Sequence, residues 1–476
     1  MTPAARRILL GFIVLFGFFA RASTYKVPIL DHHAWRQADT ASISRNFFRE
    51  RFNILYPQID QRGARSDGYV ETGLEVFAFA VAAIARIAGF HPEIGRLLSA
   101  CCFIVSCLLL WRFVRRRDDE ETALVAVFLH AFGFPLLLFI ERAFMNEALL
   151  ICLSLSCLVA AQGYLAERSP ISLVVLIAAS SLIAAIKLPY LIIWGAVFGL
   201  FLEIDGRRIW RRWELWLMAA VNLSVAAAWY THAHQLGVAT GLSFGLADKL
   251  FDAGTVFSLD YPYLLLDRMM RDILEPIGLV AVGIGAWLAV RRRRWCEILG
   301  LFGFAAYLVL VALGNSQHDY YQLALMPIAS VLAAPGILWL GERLSRSSDG
   351  RQVAVASLLG LAASCTFMRV ASAHSWFEYA PEDVIMCEGI QHATAAGDRL
   401  LFIGDNNPQM LFCVDRKGWL LTPEESNETR IRDARQAGAR LAILTRSLRR
   451  ADVSGALEDA GPPILTSPTL QVYRLP

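Results

Sequence analysis

Charge is what this 476-residue chain has least of: 18% of its residues are Asp, Glu, Lys or Arg, against about 25% in soluble domains. Its formal net charge of +3 is too small to suggest a nucleic-acid partner. No cysteine–histidine spacing of the metal-binding kind occurs, and no glycine-rich phosphate loop follows a predicted strand. There is no internal repeat with a period of about 20–50 residues and no low-complexity tract. No small-x-small cleavage pattern precedes Asp31, so the first apolar stretch, from Ile8 to Ala20, reads as a retained anchor.

Apolar residues are abundant instead, at 56% of the chain. Stretches close to the ~20 residues a membrane helix needs recur along it. This pattern predicts a polytopic α-helical membrane protein. Seven of the nine cysteines (Cys101, Cys102, Cys107, Cys152, Cys157, Cys296, Cys365) lie in or beside apolar segments and read as small buried hydrophobes. Cys387 and Cys413 lie in the polar C-terminal part and could pair in an oxidising compartment.

Arg6 and Arg7 before the first helix place the N-terminus in the cytoplasm and Asp31 outside. An amphipathic helix is expected over residues 39–52, with Ile43, Phe47 and Phe48 on one face, followed by a loop carrying Pro57, Gly63 and Gly68. If residues 70–90 spanned, Arg112 and Arg115 to Arg117 would face outside, against the positive-inside bias. With Glu71, Glu75 and Arg86 in it, that stretch reads better as an interfacial helix. The later apolar stretches, beginning with 122–140, then alternate. The arginines at 207–212, 291–294 and 343–346 fall inside, giving about eleven spans and an outer C-terminus. A surface helix is expected near residues 242–251.

From about Ala371 the composition turns polar. Residues 399–403, 440–444 and 470–475 read as strands and 425–437 as a helix, with an ordinary turn at Gly404-Asp405-Asn406. The expected organisation is a transmembrane module over 1–370 and a small α/β domain over 371–476 on the outer, periplasmic face.

On this topology the polar residues at apolar boundaries gather on the outer face: Asp31, His32, Arg36 and Asp39; Glu71; Arg142 and Glu147; Lys187; His232 and His234; His318 and Asp319. Charged groups near membrane depth are costly and usually functional. A carboxylate can take a proton from an acceptor, and Arg or Lys can hold an anionic leaving group such as phosphate. That combination suits group transfer from a phosphate-activated lipid.

The run Asp31-His32-His33-Ala34-Trp35-Arg36-Gln37-Ala38-Asp39-Thr40-Ala41, with Arg45-Asn46-Phe47, resembles the bacterial GT-C glycosyltransferases, in the branch of the protein mannosyltransferases and aminoarabinose transferases. Glu71, Arg142 to Glu147, Lys187-Leu-Pro and His318-Asp-Tyr-Tyr-Gln-Leu-Ala-Leu-Met-Pro327 follow in family order, so the resemblance spans roughly residues 1–340. It implies a GT-C-like fold with juxtamembrane helices. It also implies a polyprenyl-phosphate sugar donor, transfer with inversion at the periplasmic face of the cytoplasmic membrane, and a lipid, glycan or protein acceptor from the envelope. By motif position Asp31 is the base and Glu147 the second-loop acid, although Asn146-Glu147 stands where relatives often carry Asp. Arg36, Lys187 and His318 would meet the donor phosphate, and Glu71, Arg142 and Tyr321 would complete the substrate site. A divalent metal is an optional cofactor in the superfamily, and no residue here is assigned to one.

Simpler readings compete. Asp31 could cap the surface helix or pair with Arg36, Asp39 is the better N-cap for residues 43–48, and Glu71 and Glu147 could start helices. Trp35 reads as an interfacial anchor, Glu141 and Arg142 could pair with each other, and His232 and His234 read as loop residues. In a second class of function, a transporter or flippase of a lipid-linked anionic substrate predicts charges at midplane on broken helices of repeated halves. A non-catalytic scaffold leaves the clustering unexplained.

Overall fold

The computed structural model describes residues 2–62, 67–245, 249–404, 407–445, 461–466 and 470–475. Gly63, residues 246–248 of the expected surface helix, and Asp405 and Asn406 of the expected turn lie outside the described residues. In chain order the helices are α1 (Pro3–Ala22), α2 (Ala34–Arg49), α3 (Val76–Ala88), α4 (Glu93–Arg117), α5 (Glu120–Phe132), α6 (Pro135–Ile140) and α7 (Glu147–Glu167). Then come α8 (Pro170–Ile186), α9 (Ile193–Asp205), α10 (Trp213–Thr240), α11 (Ala253–Val256), α12 (Asp260–Arg268), α13 (Glu275–Arg291) and α14 (Trp295–Leu310). The last are α15 (Ala312–Gln317), α16 (Met326–Leu344), α17 (Ser348–Ser372), α18 (Pro381–Ala393), α19 (Gln409–Cys413) and α20 (Glu428–Gln436). Five strands complete the chain: β1 (Arg399–Ile403), β2 (Lys417–Leu421), β3 (Ala439–Thr445), β4 (Leu465–Thr466) and β5 (Leu470–Arg474). These elements form two units: residues 1–25, 96–230 and 245–374, and residues 26–95, 231–244 and 375–476.

The first unit is a bundle of apolar helices. Among the described residues, six helical stretches are long and apolar enough to cross a bilayer, with a seventh if the pair Asp260–Ile273 and Glu275–Arg291, bent by 107°, counts as one span. The bend has a local cause. Glu275 precedes Pro276, whose ring disfavours helical geometry in the residue before it, and Glu275 takes a positive φ of 53°. The stretch 122–140, expected as one span, divides into α5 and α6 for the same reason: Pro135 lacks an N–H, and Phe134 before it is extended. Lipid supplies no hydrophobic drive between helices, so small residues govern their approach. Gly285 of α13 lies against the Leu332 carbonyl of α16, and Gly336 of α16 lies against the Ala281 carbonyl. A side chain at either position would push the two backbones apart.

Ion pairs gather the arginine-rich turns at one end of this unit. Arg117 at the end of α4 bonds Glu203 of α9 and Glu297 of α14. Arg294 bonds Asp118, Arg351 bonds Glu121, and Arg116 bonds Glu167.

A second network is wholly buried. Arg21 of α1 donates from Nε and Nη2 to Glu141 Oε2 at 3.0 and 2.7 Å, and from Nη1 to the carbonyls of Gly17 and Ala131. His130 Nε2 lies 3.1 Å from Glu141 Oε1, and its Nδ1 lies 3.0 Å from Ser330 Oγ of α16. Phe103 of α4 lies beneath the Arg21 guanidinium at 3.8 Å. Glu141 therefore pairs with Arg21 and His130 instead of the neighbouring Arg142.

In the second unit, α3 is only 13 residues, or about 20 Å, too short to cross a bilayer. Its Ala78 and Ala82 pack on Ile43 and Phe47 of α2, with Val70 and Leu242. Helix α2 starts at Ala34, earlier than expected, because Ala34, Arg36 and Gln37 are good helix formers. Asp39 is therefore inside the helix and does not cap it. The polar C-terminal part folds as a five-stranded sheet of order β2-β1-β3-β5-β4, with β2, β1 and β3 parallel and β5 antiparallel to both β3 and β4. Apolar clusters cover both faces, and a Cys387–Cys413 disulfide ties α18 to α19. Strand β2 escapes the sequence reading because it is short and interrupted by Gly418, where the Leu400 carbonyl of β1 leaves no room for a side chain.

Removing one partner of a buried pair leaves an uncompensated charge, at a cost of about 3–5 kcal/mol. Glu141→Leu alone should sharply lower the thermal midpoint and detergent-solubilised yield. Arg21→Leu with Glu141→Leu should recover most of the loss. Additive losses in the double variant would contradict the pairing.

Candidate active site

The second unit holds the first cluster. The chain turns at His33, which adopts left-handed geometry (φ 58°), and α2 begins immediately after it. Asp31, 4% exposed, accepts at Oδ1 from Gln37 Nε2 at 2.7 Å, and the same amide donates to the His32 carbonyl at 2.7 Å. One turn of helix thus fixes the carboxylate's orientation through a neutral donor. His32 stacks on Trp376 with ring centroids 5.4 Å apart, and the His33 ring lies 3.8 Å from that of His32. These two imidazoles are of the ligand type divalent transition metals prefer.

Arg36 points its Nη2 at Glu75 Oε1, 3.3 Å away, and its guanidinium lies 5.1 Å from the Phe244 ring. Glu75 is fully buried and also accepts from Thr72 Oγ1 at 3.0 Å. Glu71 does not start a helix. Its backbone bridges to Ser243, and its carboxylate lies 3.2 Å from His234 Nδ1. Gly237 of α10 is required there, because a Cβ would lie 2.7 Å from that of Glu71. His232 meets the Leu55 carbonyl, and Trp35 is half exposed.

The first unit holds the second cluster. Glu147 opens α7 and is 2% exposed. Lys187 ends α8, where Pro189 forces the chain into a 3₁₀ turn over Leu188–Ile192. The Lys187 ammonium lies 3.0 Å from Glu147 Oε1, while Glu147 Oε2 is buried with no hydrogen-bond partner among the described residues. The same ammonium lies 3.8 Å from the Tyr321 ring centroid and 5.0 Å from that of Tyr320. His318, extended between α15 and a 3₁₀ turn over Asp319–Leu325, has its ring 5.3 Å from Tyr321, and its Nε2 meets the Lys249 ammonium at 3.3 Å. Arg142 is 1% exposed, with its guanidinium 4.8 Å from the Phe139 ring. The structure therefore joins Glu147, Lys187, His318 and Tyr321 in one cluster.

Sequence reading passed over several residues. Gln37 stood inside the quoted motif, and its distance of six residues from Asp31 carries no periodic signal. Glu75 and Trp376 come from distant segments, and Lys249 has no neighbour in sequence that marks it. Both clusters can serve proton acceptance and anion binding: one has an oriented carboxylate, the other has two ammonium groups, an imidazole and tyrosine rings.

Asp39 is 4% exposed, and its pKa is raised to about 7 by burial, against the lowering effect of Arg36 and with Glu75 and Asp60 pushing it further up. The folded state therefore keeps a proton that the unfolded chain has already lost, and stability falls as pH rises from about 4 to 7. Asp39→Asn cannot ionise, so its thermal midpoint should gain on the wild type progressively between about pH 4 and pH 7 and then level off. Parallel curves for the two proteins would show that Asp39 is already charged at low pH.

Residues 75–232 match the family model of dolichyl-phosphate-mannose-protein mannosyltransferases. No curated protein matches the chain in sequence. In fold it is similar to ArnT from Cupriavidus metallidurans bound to undecaprenyl phosphate, with a TM-score of 0.69 and 13% identity, covering 99% of this chain and 98% of that one. It is also similar to the oligosaccharyltransferase AglB from Archaeoglobus fulgidus in complex with an inhibitory peptide and a dolichol phosphate, with a TM-score of 0.59 and 14% identity, covering 92% of this chain and 69% of that one. The chain is a multi-pass membrane protein with the GT-C glycosyltransferase fold, and it resembles the protein mannosyltransferase and aminoarabinose transferase branch along its whole length in fold and over residues 75–232 in sequence.

Proposed function

We propose that this chain is a membrane glycosyltransferase that moves a sugar from a polyprenyl-phosphate donor to an envelope acceptor. The observation that carries the reading is Asp31, a buried carboxylate held by Gln37 at the start of α2, in a chain whose fold matches a polyprenyl-phosphate-binding protein from end to end. Asp31 takes the proton of the acceptor group. The acceptor attacks the anomeric carbon from the face opposite the phosphate, the C–O bond to phosphate breaks, and polyprenyl phosphate leaves with the electron pair, so configuration inverts. Lys187, His318 and Arg36 hold the phosphate. Glu147, Glu71, Arg142 and Tyr321 shape the sugar and acceptor sites.

The arginine-rich turns belong in the cytoplasm by the positive-inside rule, which orients the opposite ends of the first unit, with Glu147 and Lys187, toward the periplasm of the cytoplasmic membrane. The Cys387–Cys413 disulfide supports an oxidising compartment for residues 371–476, which then act as a periplasmic domain beside the acceptor. The transporter alternative expects repeated halves with midplane charges. The buried Arg21–Glu141–His130 group is saturated internally, which leaves no polar path there for a cargo.

Asp31→Asn tests the base. Asn Oδ1 can accept the same bond from Gln37, so the protein should fold with an unchanged thermal midpoint. Loss of a general base typically costs about 10²–10⁴-fold, and kcat for sugar transfer by the purified protein in lipid should fall accordingly. Full activity in a folded Asp31→Asn protein would remove Asp31 from the mechanism.

A further inference from the structure

Within the second unit a cavity of about 440 Å³ opens between the C-terminal end of α2, the loop after it and the edge of the sheet. Helix α2 has 16 residues, so Asp31 before its first turn and Arg45 and Arg49 near its last lie about 20 Å apart. The cavity is thus separate from the carboxylate's site. Its walls are tied by backbone. The Gly418 N–H of β2 donates to the Asp60 carbonyl at 3.1 Å, and the Arg62 N–H donates to the Gly418 carbonyl at 2.6 Å. The loop therefore covers an open strand edge.

Six cationic and five acidic side chains line this space. Most of the acids are engaged. Asp60 holds Arg45, Asp415 holds Arg45 and Arg49, Glu50 holds Lys417, and Asp398 accepts from the Ala395 N–H. Three guanidinium groups have no carboxylate partner among the described residues. Arg416 is consumed structurally, donating to the carbonyls of Gln391 and Thr394 at the end of α18. Arg62 and Arg399 are not: each is bonded through Nη1 to main-chain carbonyls only, Ile59 and Asp67 for Arg62 and Ala437 for Arg399. Arg62 is 5% exposed, and its guanidinium occupies the place a side chain at Gly68 would take, at a left-handed φ of 67°. Burial lowers the Arg62 pKa from its usual value, Asp60 opposes this, and the charge of Arg399 adds to it. Burial, with Arg45 and Arg49, holds Lys417 down to about 8. Six cations thus face five carboxylates, an excess of one, and Asp67, like Asp60, favours the charged form of Arg62.

A carboxylate is satisfied by a single guanidinium fork, whereas a tetrahedral dianion with several acceptor oxygens suits cations converging from separate elements. We propose that this cavity binds a phosphate group carried by a saccharide or a lipid head, gripped by Arg62 and Arg399, with Lys417 and Arg49 sharing their charge between it and their partners Glu50 and Asp415. A cavity of this volume holds a sugar phosphate. The proposal stands whether or not the chain transfers sugar.

The test is calorimetric titration of the full-length protein in phosphatidylcholine nanodiscs with glucose 1-phosphate, with glucose as the neutral control. One saturable site is expected, at least tenfold tighter than for glucose and weakened at least tenfold in both Arg399→Gln and Lys417→Gln. These half-buried positions keep the fold testable if Arg62→Gln does not fold. A second arm uses nanodiscs containing phosphatidic acid. Loss of glucose 1-phosphate binding there, in wild type, assigns the site to a lipid-borne phosphate, and retained binding assigns it to a free saccharide phosphate. No saturable binding, or binding that survives both substitutions or is lost only in Lys187→Met, would overturn the proposal.

Discussion

The buried pairing of Arg21 with Glu141 is the constraint on which the first unit's chemistry depends. An ionised pair without solvent is tolerated only when every donor and acceptor is used. Here the guanidinium serves Glu141 and two backbone carbonyls and rests on Phe103, while His130 links the same carboxylate to Ser330. The network clamps α1, α4, α5 and α16 around the end of α6. The next residues in the chain are Arg142 and, opening α7, Glu147, so a structural ion pair sets where the candidate catalytic loop begins. At the other end of the unit, Arg117 with Glu203 and Glu297 does the same for the arginine-rich turns. Charge pairs therefore hold this bundle together at both places.

The two polar clusters differ in how they are built. Asp31 accepts from the neutral amide of Gln37 in the helix that follows it. Lys187 is positioned by the carboxylate of Glu147 and lies over the Tyr321 ring, so it presents a shared charge. A phosphate arriving beside Lys187 would compete with Glu147, whose second oxygen is buried and has no hydrogen-bond partner among the described residues. That competition suits a leaving group that must be held and then released.

Much of the fold was legible in the sequence, because lipid imposes long apolar runs and basic turns that periodicity and charge reveal. Residues Arg399–Ile403 read as a strand from a short apolar run, and the end of α8 at Lys187 followed from Pro189. Legibility failed where tertiary contacts decide. Asp39 had the look of a cap, but α2 begins five residues earlier, at Ala34, after the turn at His33. Glu141 looked like the partner of Arg142, and nothing local could reveal that Arg21, 120 residues earlier, holds it. Trp376 escaped for the same reason, since its stacking on His32 arises only when distant segments meet.

The central claim is that this GT-C fold breaks a sugar–phosphate bond rather than carrying the intact lipid. The most direct measurement is to reconstitute the purified chain in sealed vesicles with fluorescently tagged polyprenyl-phosphate sugar and an envelope extract outside. Both lipid products and transbilayer position are then followed. The account predicts that sugar-free polyprenyl phosphate accumulates in step with glycosylated acceptor and only when the extract is present. Movement of intact donor between leaflets with no polyprenyl phosphate released would contradict it.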